Sequence, residues 1–148
     1  MTVGDPSSGD PTSTSPRLIS LSPLPLTPIP SDISHPSVPL QSVKESSWGD
    51  APLLDKNLNN YATWSQHVVR ILRLSSGLDL YLDGSLPVPN PQLEPCAHRH
   101  WRINNAAIQA FLVMKCAPSE HSFLEKCDTA EEIWKILRQR HIHQGPMS

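Results

Sequence analysis

Apolar residues recur every three or four positions in three stretches of the sequence, which is the spacing of one face of an α-helix. The first stretch follows Asn60 and ends before Gly77, two residue types that favour the start and the end of a helix. Its apolar positions are Tyr61, Trp64, Val68, Ile71 and Leu72. The pattern therefore predicts an amphipathic helix with Asn60 as its N-cap.

The second stretch predicts a long helix from about Pro95 to Cys116, because proline suits a first helical turn. Its apolar residues occupy more than one face. The main face contains Ile103, Ala107, Ala110, Phe111 and Met114, and it is widened by Trp101, Ile108 and Leu112. We therefore expect this helix to be central, with neighbours on two sides.

The third stretch begins with the clearest start signal in the sequence, a capping box. In this motif the Thr129 hydroxyl accepts a hydrogen bond from the amide of the third helical residue, Glu132, and the Glu132 carboxylate accepts one from the Thr129 amide. The apolar face that follows contains Ile133, Trp134, Ile136 and Leu137. A shorter helix from Ser119, carrying Phe123 and Leu124, is predicted before it.

Residues 78–95 connect the first two helices. The alternating Leu78, Leu80 and Leu82 allow either a short helical turn or a hairpin, closed by a turn at Asp83 and Gly84. A proline-rich loop follows. Taken together, the elements predict an all-α domain over residues 53–148, a small bundle of four to five helices. Its expected core anchors are Trp64, Trp101 and Trp134.

Residues 1–52 have neither helical nor strand periodicity. Ten of the 16 prolines lie there, and proline removes backbone donors and disfavours helices and central strands. This composition predicts a disordered, Pro/Ser-rich leader. Pro25 to Pro28 match a PxxP ligand for aromatic grooves, although a match is expected by chance in a segment of this composition.

Charge and candidate chemistry argue against several functions. The formal net charge is −2, and the helical part is near neutral, so we do not expect this fragment to bind RNA strongly. The Cys and His residues at 96–100 and 141–143 stand at every second position. On a helix, residues two positions apart point about 200° away from each other, so these clusters cannot hold one metal ion from one face. Asp128-Thr-Ala is similar to an acid-protease loop, but it lacks the glycine and enters a helix. We therefore predict a non-enzymatic protein without metal or cofactor.

The sequence also predicts a location. Its start is neither basic nor apolar, so it has no features of a secretory signal, and its most apolar stretch is too short to cross a bilayer. Three cysteines, an odd number, are typical of reduced thiols. We expect a cytoplasmic protein that makes no contact with membranes.

Three motifs occur in a fixed order along the helical part: an Asn-Tyr-x-x-Trp start, a Leu-rich turn with Asp-Gly before a Trp-containing helix, and Thr-Ala-x-Glu-x-Trp-x-x-Leu. The residues concerned are Leu58, Asn60, Tyr61, Trp64, Asp83, Gly84, Trp101, Asn105, Thr129, Ala130, Glu132, Trp134 and Leu137. This ordered set resembles the N-terminal, capsid-like region of the Gag polyprotein of copia-type LTR retrotransposons. Lys56 and Asn57 stand where family members often have glycine.

The resemblance covers about residues 53–143 and implies a structural role. Gag proteins assemble into a shell around the element's RNA, with the capsid domain making protein contacts and a later Cys/His knuckle binding RNA. Since this sequence stops before the second capsid half and the knuckle, the resemblance implies a truncated capsid-like fragment whose partners are other Gag copies. The alternative is a cellular, domesticated helical module that binds other proteins.

Overall fold

Five α-helices and three short 3-10 helices form the part of the chain that the structure, a computed structural model, describes: residues 27–142. The α-helices are α1 (Ser31–Ser34), α2 (Tyr61–Leu74), α3 (Pro95–Met114), α4 (Pro118–His121) and α5 (Ala130–His141). The 3-10 helices are Glu45–Trp48, Lys56–Leu58 and Leu78–Tyr81. Within residues 27–142, β pairing is limited to one isolated parallel bridge between Leu54 and Cys116. The prediction of a small all-α bundle is confirmed.

The first predicted helix forms as α2, with its apolar face inward. Its buried residues are Trp64, Val68, Ile71 and Leu72. Gly77 adopts the left-handed conformation, with φ of 84°, and its amide donates to the Arg73 carbonyl at 3.2 Å. Residues Leu78–Tyr81 form a helical turn, so the hairpin alternative is wrong.

Asn60 precedes α2 as predicted, but its side chain does not cap the helix. Its Oδ1 accepts a hydrogen bond from the Asp55 amide at 3.1 Å, and its Nδ2 donates to the Leu53 carbonyl at 2.9 Å. The predicted capping role of Asn60 is therefore wrong, because its side-chain amide is already hydrogen-bonded to the backbone of the loop before the helix.

The hydrophobic core lies where α2, α3 and α5 meet. Its fully buried members include Val68, Leu72, Leu78, Ile108, Leu112, Ile133 and Leu137. On α5, Trp134 and Ile136 are half-buried against this core. The short helix predicted from Ser119 forms as α4 but ends at His121, so Phe123 and Leu124 lie after it and not on it. Leu124 is buried, whereas Phe123 is exposed.

The buried face of α3 differs from the predicted one. Ile103 and Met114 are 47% and 58% exposed, and Ala110 between them is exposed as well. The side that faces the core contains Asn104 and Asn105 together with Ile108, Phe111 and Leu112. The predicted main face is therefore wrong for Ile103, Ala110 and Met114, whereas Phe111 is buried, Ala107 is half-buried, and two of the residues predicted to widen the face, Ile108 and Leu112, are buried. Apolar periodicity alone did not reveal that two asparagines are buried.

Asn104 is fully buried, and both the oxygen and the nitrogen of its side-chain amide form hydrogen bonds. Its Oδ1 accepts from the Gln41 amide at 3.0 Å. Its Nδ2 donates to the Pro39 carbonyl and to the Tyr81 hydroxyl, each at 3.0 Å. A buried amide is costly only when it is left unpaired. These bonds therefore fix the rotation of α3 about its own axis.

Residues 29–54, which we call the N-terminal strap, pack along the helices. Asp32 is buried, and its carboxylate accepts from the Cys96 amide at 2.7 Å and the Ala97 amide at 3.0 Å. It supplies the side-chain cap that Glu94, at the N-cap position of α3, does not. The negative charge of Asp32 also suits the positive end of the α3 dipole.

The predicted boundary at residue 52 is too late. The strap buries Val38, Trp48 and Leu54 as well as Asp32, so the leader folds onto the helices well before that position. Prolines prevent regular structure, but they do not prevent an irregular segment from packing, and the absence of periodicity hid this. Residues 1–26, with Pro25 and Leu26 of the PxxP match, lie outside the described residues.

Trp48 is the core tryptophan that sequence reasoning missed. It is 6% exposed, its ring meets Phe111 edge-on with centroids 5.9 Å apart, and its Nε1 donates to the Ala51 carbonyl at 2.8 Å. Of the three predicted anchors, Trp64 is buried, whereas Trp101 and Trp134 are half-buried.

Replacing Trp48 with alanine should lower the free energy of unfolding by about 3–5 kcal/mol, because the strap would lose its largest core contact. The measurement is urea unfolding of the full chain, followed by circular dichroism. Leu40→Ala, in the same strap but 56% exposed, is the matched control and should change stability by less than about 1 kcal/mol. Equal effects of the two substitutions would contradict a packed strap.

Candidate functional site

Motif residues from three separate segments meet at a small cleft of about 180 Å³, whose lining includes Gly84, Trp101, Asn105 and Thr129. Gly84 has φ of 75°, and a Cβ there would lie 3.0 Å from a carboxylate oxygen of Glu131. The positive φ therefore favours glycine, and a Cβ would also require the flexible Glu131 side chain to shift. Trp101 stacks on Tyr81 with ring centroids 5.9 Å apart.

Asn105 joins α3 to the start of α5. It is buried, and its Oδ1 accepts from the Ala130 amide at 2.9 Å. Its Nδ2 donates to Gln109 Oε1 at 3.1 Å and to the Asp128 carbonyl at 3.4 Å. The side chain thus satisfies free backbone groups at the end of a neighbouring helix. This is a structural role.

The capping box is confirmed at the start of α5. Thr129 Oγ1 accepts from the Glu132 amide at 3.1 Å, and Glu132 Oε1 accepts from the Thr129 amide at 3.1 Å. The Asp128 amide also donates to Glu132 Oε1, at 2.6 Å. At the predicted Asp83 turn, Asp83 Oδ1 accepts from the Ser85 amide at 3.0 Å, and the Ser85 hydroxyl lowers the pKa of the carboxyl.

The aromatic motif residues of α2 and α5 form one cluster. Trp64 stacks on Trp134 with ring centroids 5.8 Å apart, and Tyr61 stacks on His141 at the same separation. Trp64 Nε1 donates to the Lys115 carbonyl at 2.8 Å, which ties α2 to the end of α3. Tyr61 and Trp134 are only half-buried, so this cluster reaches the surface.

At that surface lies the largest of the described clefts, about 790 Å³ in volume, which we call the α2–α5 cleft. Its lining includes Tyr61, Val69, Arg70, Arg73, Trp134 and Arg138. Burial raises the pKa of the Tyr61 hydroxyl, and the positive charge of Arg138 opposes this, as expected for a guanidinium near the ring. The cleft combines an apolar, aromatic floor with a basic rim.

A second exposed apolar surface lies on α3. We call Ile103, Ala107, Ala110 and Met114 the α3 stripe. These residues share one side of the helix because they lie three or four positions apart. Beside the stripe is a groove of about 440 Å³, whose other wall is formed by strap residues 40–43 and 45. Leu40, on that wall, is 56% exposed.

A buried ionic cluster joins α4 to α5. Glu120 accepts two hydrogen bonds from Arg140, both at 3.1 Å, and lies 2.9 Å from His141 Nε2. Glu120 and His141 are each 1% exposed. Burial raises the pKa of Glu120, but the hydrogen bonds and charges of Arg140 and His141 outweigh it and hold that pKa below its usual value.

The nearest approach to a catalytic pair is Cys96 with His100. Cys96 Sγ lies 3.7 Å from His100 Nε2, and His100 Nδ1 lies 2.8 Å from the Val38 carbonyl oxygen. However, the carboxylate of Asp32 accepts from the Cys96 amide itself. Asp32 therefore serves the start of α3, and His100 is oriented by a backbone carbonyl and not by this carboxylate.

Within residues 27–142, the other thiols and the histidines are not arranged as a metal or nucleophile site. Burial raises the pKa of the Cys116 thiol to about 12, and burial also raises that of Cys127, so both remain protonated. Among residues 27–142, no three His, Cys, Asp or Glu side chains are grouped to hold a metal ion. His143, from the second predicted cluster, lies outside that range.

Most of the predicted site residues therefore fall into two groups with structural roles: the aromatic cluster and the small cleft between α3 and α5. Of the others, Asn60 binds the loop before α2, Asp83 forms a turn with Ser85, and Leu137 lies in the core. Sequence reasoning did not single out the basic rim or Glu120. In the sequence, Arg70, Arg73 and Arg138 occupy polar positions of two separate amphipathic helices. The convergence of α2 on α5 that places them together is a tertiary feature.

Comparisons with known proteins do not assign the chain to a family. The chain matches no protein-family model, no curated protein and no solved structure. No helix in residues 27–142 combines the length and the apolar character needed to cross a bilayer.

Glu120→Gln should reduce the free energy of unfolding by about 1–3 kcal/mol at pH 7, because it removes the charge that pairs Arg140 and His141. Since the folded-state pKa of Glu120 is lowered, this stabilisation is present above its unfolded pKa of about 4.3 and is lost as the pH falls through the folded value. The measurement is urea unfolding of both proteins between pH 7 and pH 3.

The control is Glu125→Gln, at an exposed position four residues from the end of α4. It should leave stability within about 0.5 kcal/mol at every pH. A Glu120 variant as stable as the Glu125 variant at pH 7 would show that the buried cluster does not hold α4 to α5.

Proposed function

We propose that this protein is a non-enzymatic structural protein whose copies associate through the α3 stripe, as a Gag-like, capsid-like fragment in the cytoplasm. The observation that carries the proposal is the orientation of α3. The hydrogen bonds of Asn104 and Asn105 hold one side of this helix in the core, so the other, apolar side with Ile103 and Met114 faces solvent. Exposed apolar surface of this kind is typical of a contact with another protein.

The stripe suits a second copy of the same chain. Two α3 helices packed antiparallel about a two-fold axis would place Ile103 of each copy against Met114 of the other. Ala107 and Ala110 would then face each other at the centre, where small side chains allow the helix backbones to approach closely. The large ends and small centre make the surface complementary to itself.

The expected association is weak. From Ile103 to Met114 the stripe rises about 17 Å along the helix, and it is one side chain wide. This is less than the roughly 800 Å² per partner of a stable interface. We therefore expect a dimer only at high protein concentration, as for contacts that act through many repeated copies.

The ordered motifs that resemble copia-type Gag also support the proposal, since capsid domains of that family work by protein contacts. Other copies of the chain are the proposed partners. Strong RNA binding is not part of the proposal, because a net charge of −2 gives no long-range attraction for a polyanion.

The alternative is a domesticated cellular module that binds a different protein. The two functions predict different neighbouring genes. Downstream reading frames for a knuckle, a protease and an integrase would favour the mobile element, whereas a single isolated gene would favour the cellular module.

Ala110→Glu should abolish concentration-dependent association of the full chain, because two carboxylates would meet at the centre of the symmetric contact. The measurement is sedimentation velocity at increasing protein concentration. The unsubstituted chain should show a rising average mass, and the variant should remain a monomer. Ala110 is exposed, so the fold itself should tolerate the change.

The matched control is Ala62→Glu, the same substitution at an exposed position on α2. It should associate like the unsubstituted chain. A monomeric unsubstituted chain at millimolar concentration, or equal association of the Ala110 variant, would contradict the proposed contact.

A further inference from the structure

The α2–α5 cleft has an electrostatic feature that self-association through α3 does not use. Arg70, Arg73 and Arg138 lie on its rim. Arg73 pairs with Asp79 at 3.2 Å. Arg70 and Arg138 form no ion pair with any residue in the range 27–142 and are exposed. Two positive charges that have no ionic partner among the described residues therefore line the cleft, one on each helix.

The cleft lining also contains the apolar residues Val69, Leu74 and Trp134, beside the polar Ser65 and Gln66. Val69 and Trp134 are half-buried, and Leu74 at the far end is exposed. One face of the Trp134 indole already stacks on Trp64, with ring centroids 5.8 Å apart, so the side chain does not move deeper into the core. Burying this floor against a partner would gain free energy in proportion to the apolar area removed from water.

The shape of the cleft fits an elongated partner. Its lining runs along α2 from Tyr61 to Leu74, the full 14 residues of the helix. That length corresponds to about 20 Å, or four helical turns. A groove of this length between two helices is the receiving surface of the helix-in-groove mode of recognition, in which apolar anchors recur every three or four residues.

We infer that the α2–α5 cleft binds an acidic amphipathic helix of another protein. The apolar side of that helix packs on Val69, Leu74 and Trp134. Its carboxylates pair with Arg70 and Arg138. The inference goes beyond self-association and is independent of it, since the cleft and the groove beside the α3 stripe share no lining residue.

The same arginines would also attract single-stranded nucleic acid, which binds where basic grooves expose the faces of aromatic rings. Here each ring already has one face covered. Tyr61 stacks on His141, and Trp134 stacks on Trp64. The net charge of −2 also gives no long-range attraction for a polyanion. A helix with a few carboxylates and several apolar anchors matches the cleft better.

The experiment selects binders from a displayed library of random 16-residue helical peptides, with the full chain as bait. The expected products have apolar residues at helical spacing and a net negative charge. Fluorescence anisotropy then compares the affinity of the best peptide for the unsubstituted chain and for Arg138→Glu. The variant should bind at least about 10-fold more weakly, because like charges would meet at the rim.

Lys135→Glu is the matched control, a charge reversal on the same helix at an exposed position outside the cleft. It should change the affinity less than about 2-fold. A peptide in which lysine replaces the acidic residue should recover binding to the Arg138 variant, which distinguishes pairing from a general loss of structure. Ala110→Glu should bind the peptide normally, so failure of self-association and failure of this inference remain distinguishable.

Three results would overturn the inference. The selection yields no binders, or it yields peptides without negative charge. The two charge reversals weaken binding equally. Finally, a single-stranded RNA 20-mer binds more tightly than any selected peptide and loses its affinity in the Arg138 variant, which would assign the cleft to nucleic acid.

Discussion

The paired asparagines at the centre of α3 are the constraint on which the rest of the structure depends. Asn104 is bonded to the strap and to Tyr81, and Asn105 to the start of α5. An unpaired buried amide costs on the order of 1–3 kcal/mol, so any rotation of α3 that breaks these bonds is penalised. Their geometry decides which side of the helix faces the core and, by exclusion, which apolar side faces solvent.

The helices were predictable because each carries its own local signals. The Thr129 capping box and the apolar face of α2 act within a few residues of chain, and both were found from the sequence. The rotation of α3 was not predictable, because periodicity counts Asn104 as polar and Ile103 as apolar, whereas their partners lie far along the chain. The role of Asp32 at the start of α3 was hidden for the same reason.

The candidate site also has one part that the sequence revealed and one part that it did not. The motif residues from Asn60 to Leu137 were found, and the structure assigns to those it describes packing and capping roles. The two proposed binding surfaces depend instead on how helices meet. The basic rim of the α2–α5 cleft combines Arg70 with Arg138 from a helix far along the chain. The strap supports the second surface, since it holds Asn104 inward and forms one wall of the groove beside Ile103.

The most direct test of this account is the solvent accessibility of the Met114 methyl group in the full chain, measured by NMR with a soluble paramagnetic agent. Met114→Leu assigns the signal. The account predicts strong broadening in dilute solution and progressive protection as the protein concentration rises, because Met114 is exposed in the monomer and covered by a second copy. A methyl group protected already at low concentration would contradict the orientation of α3, and one that stays exposed at every concentration would contradict self-association through the stripe.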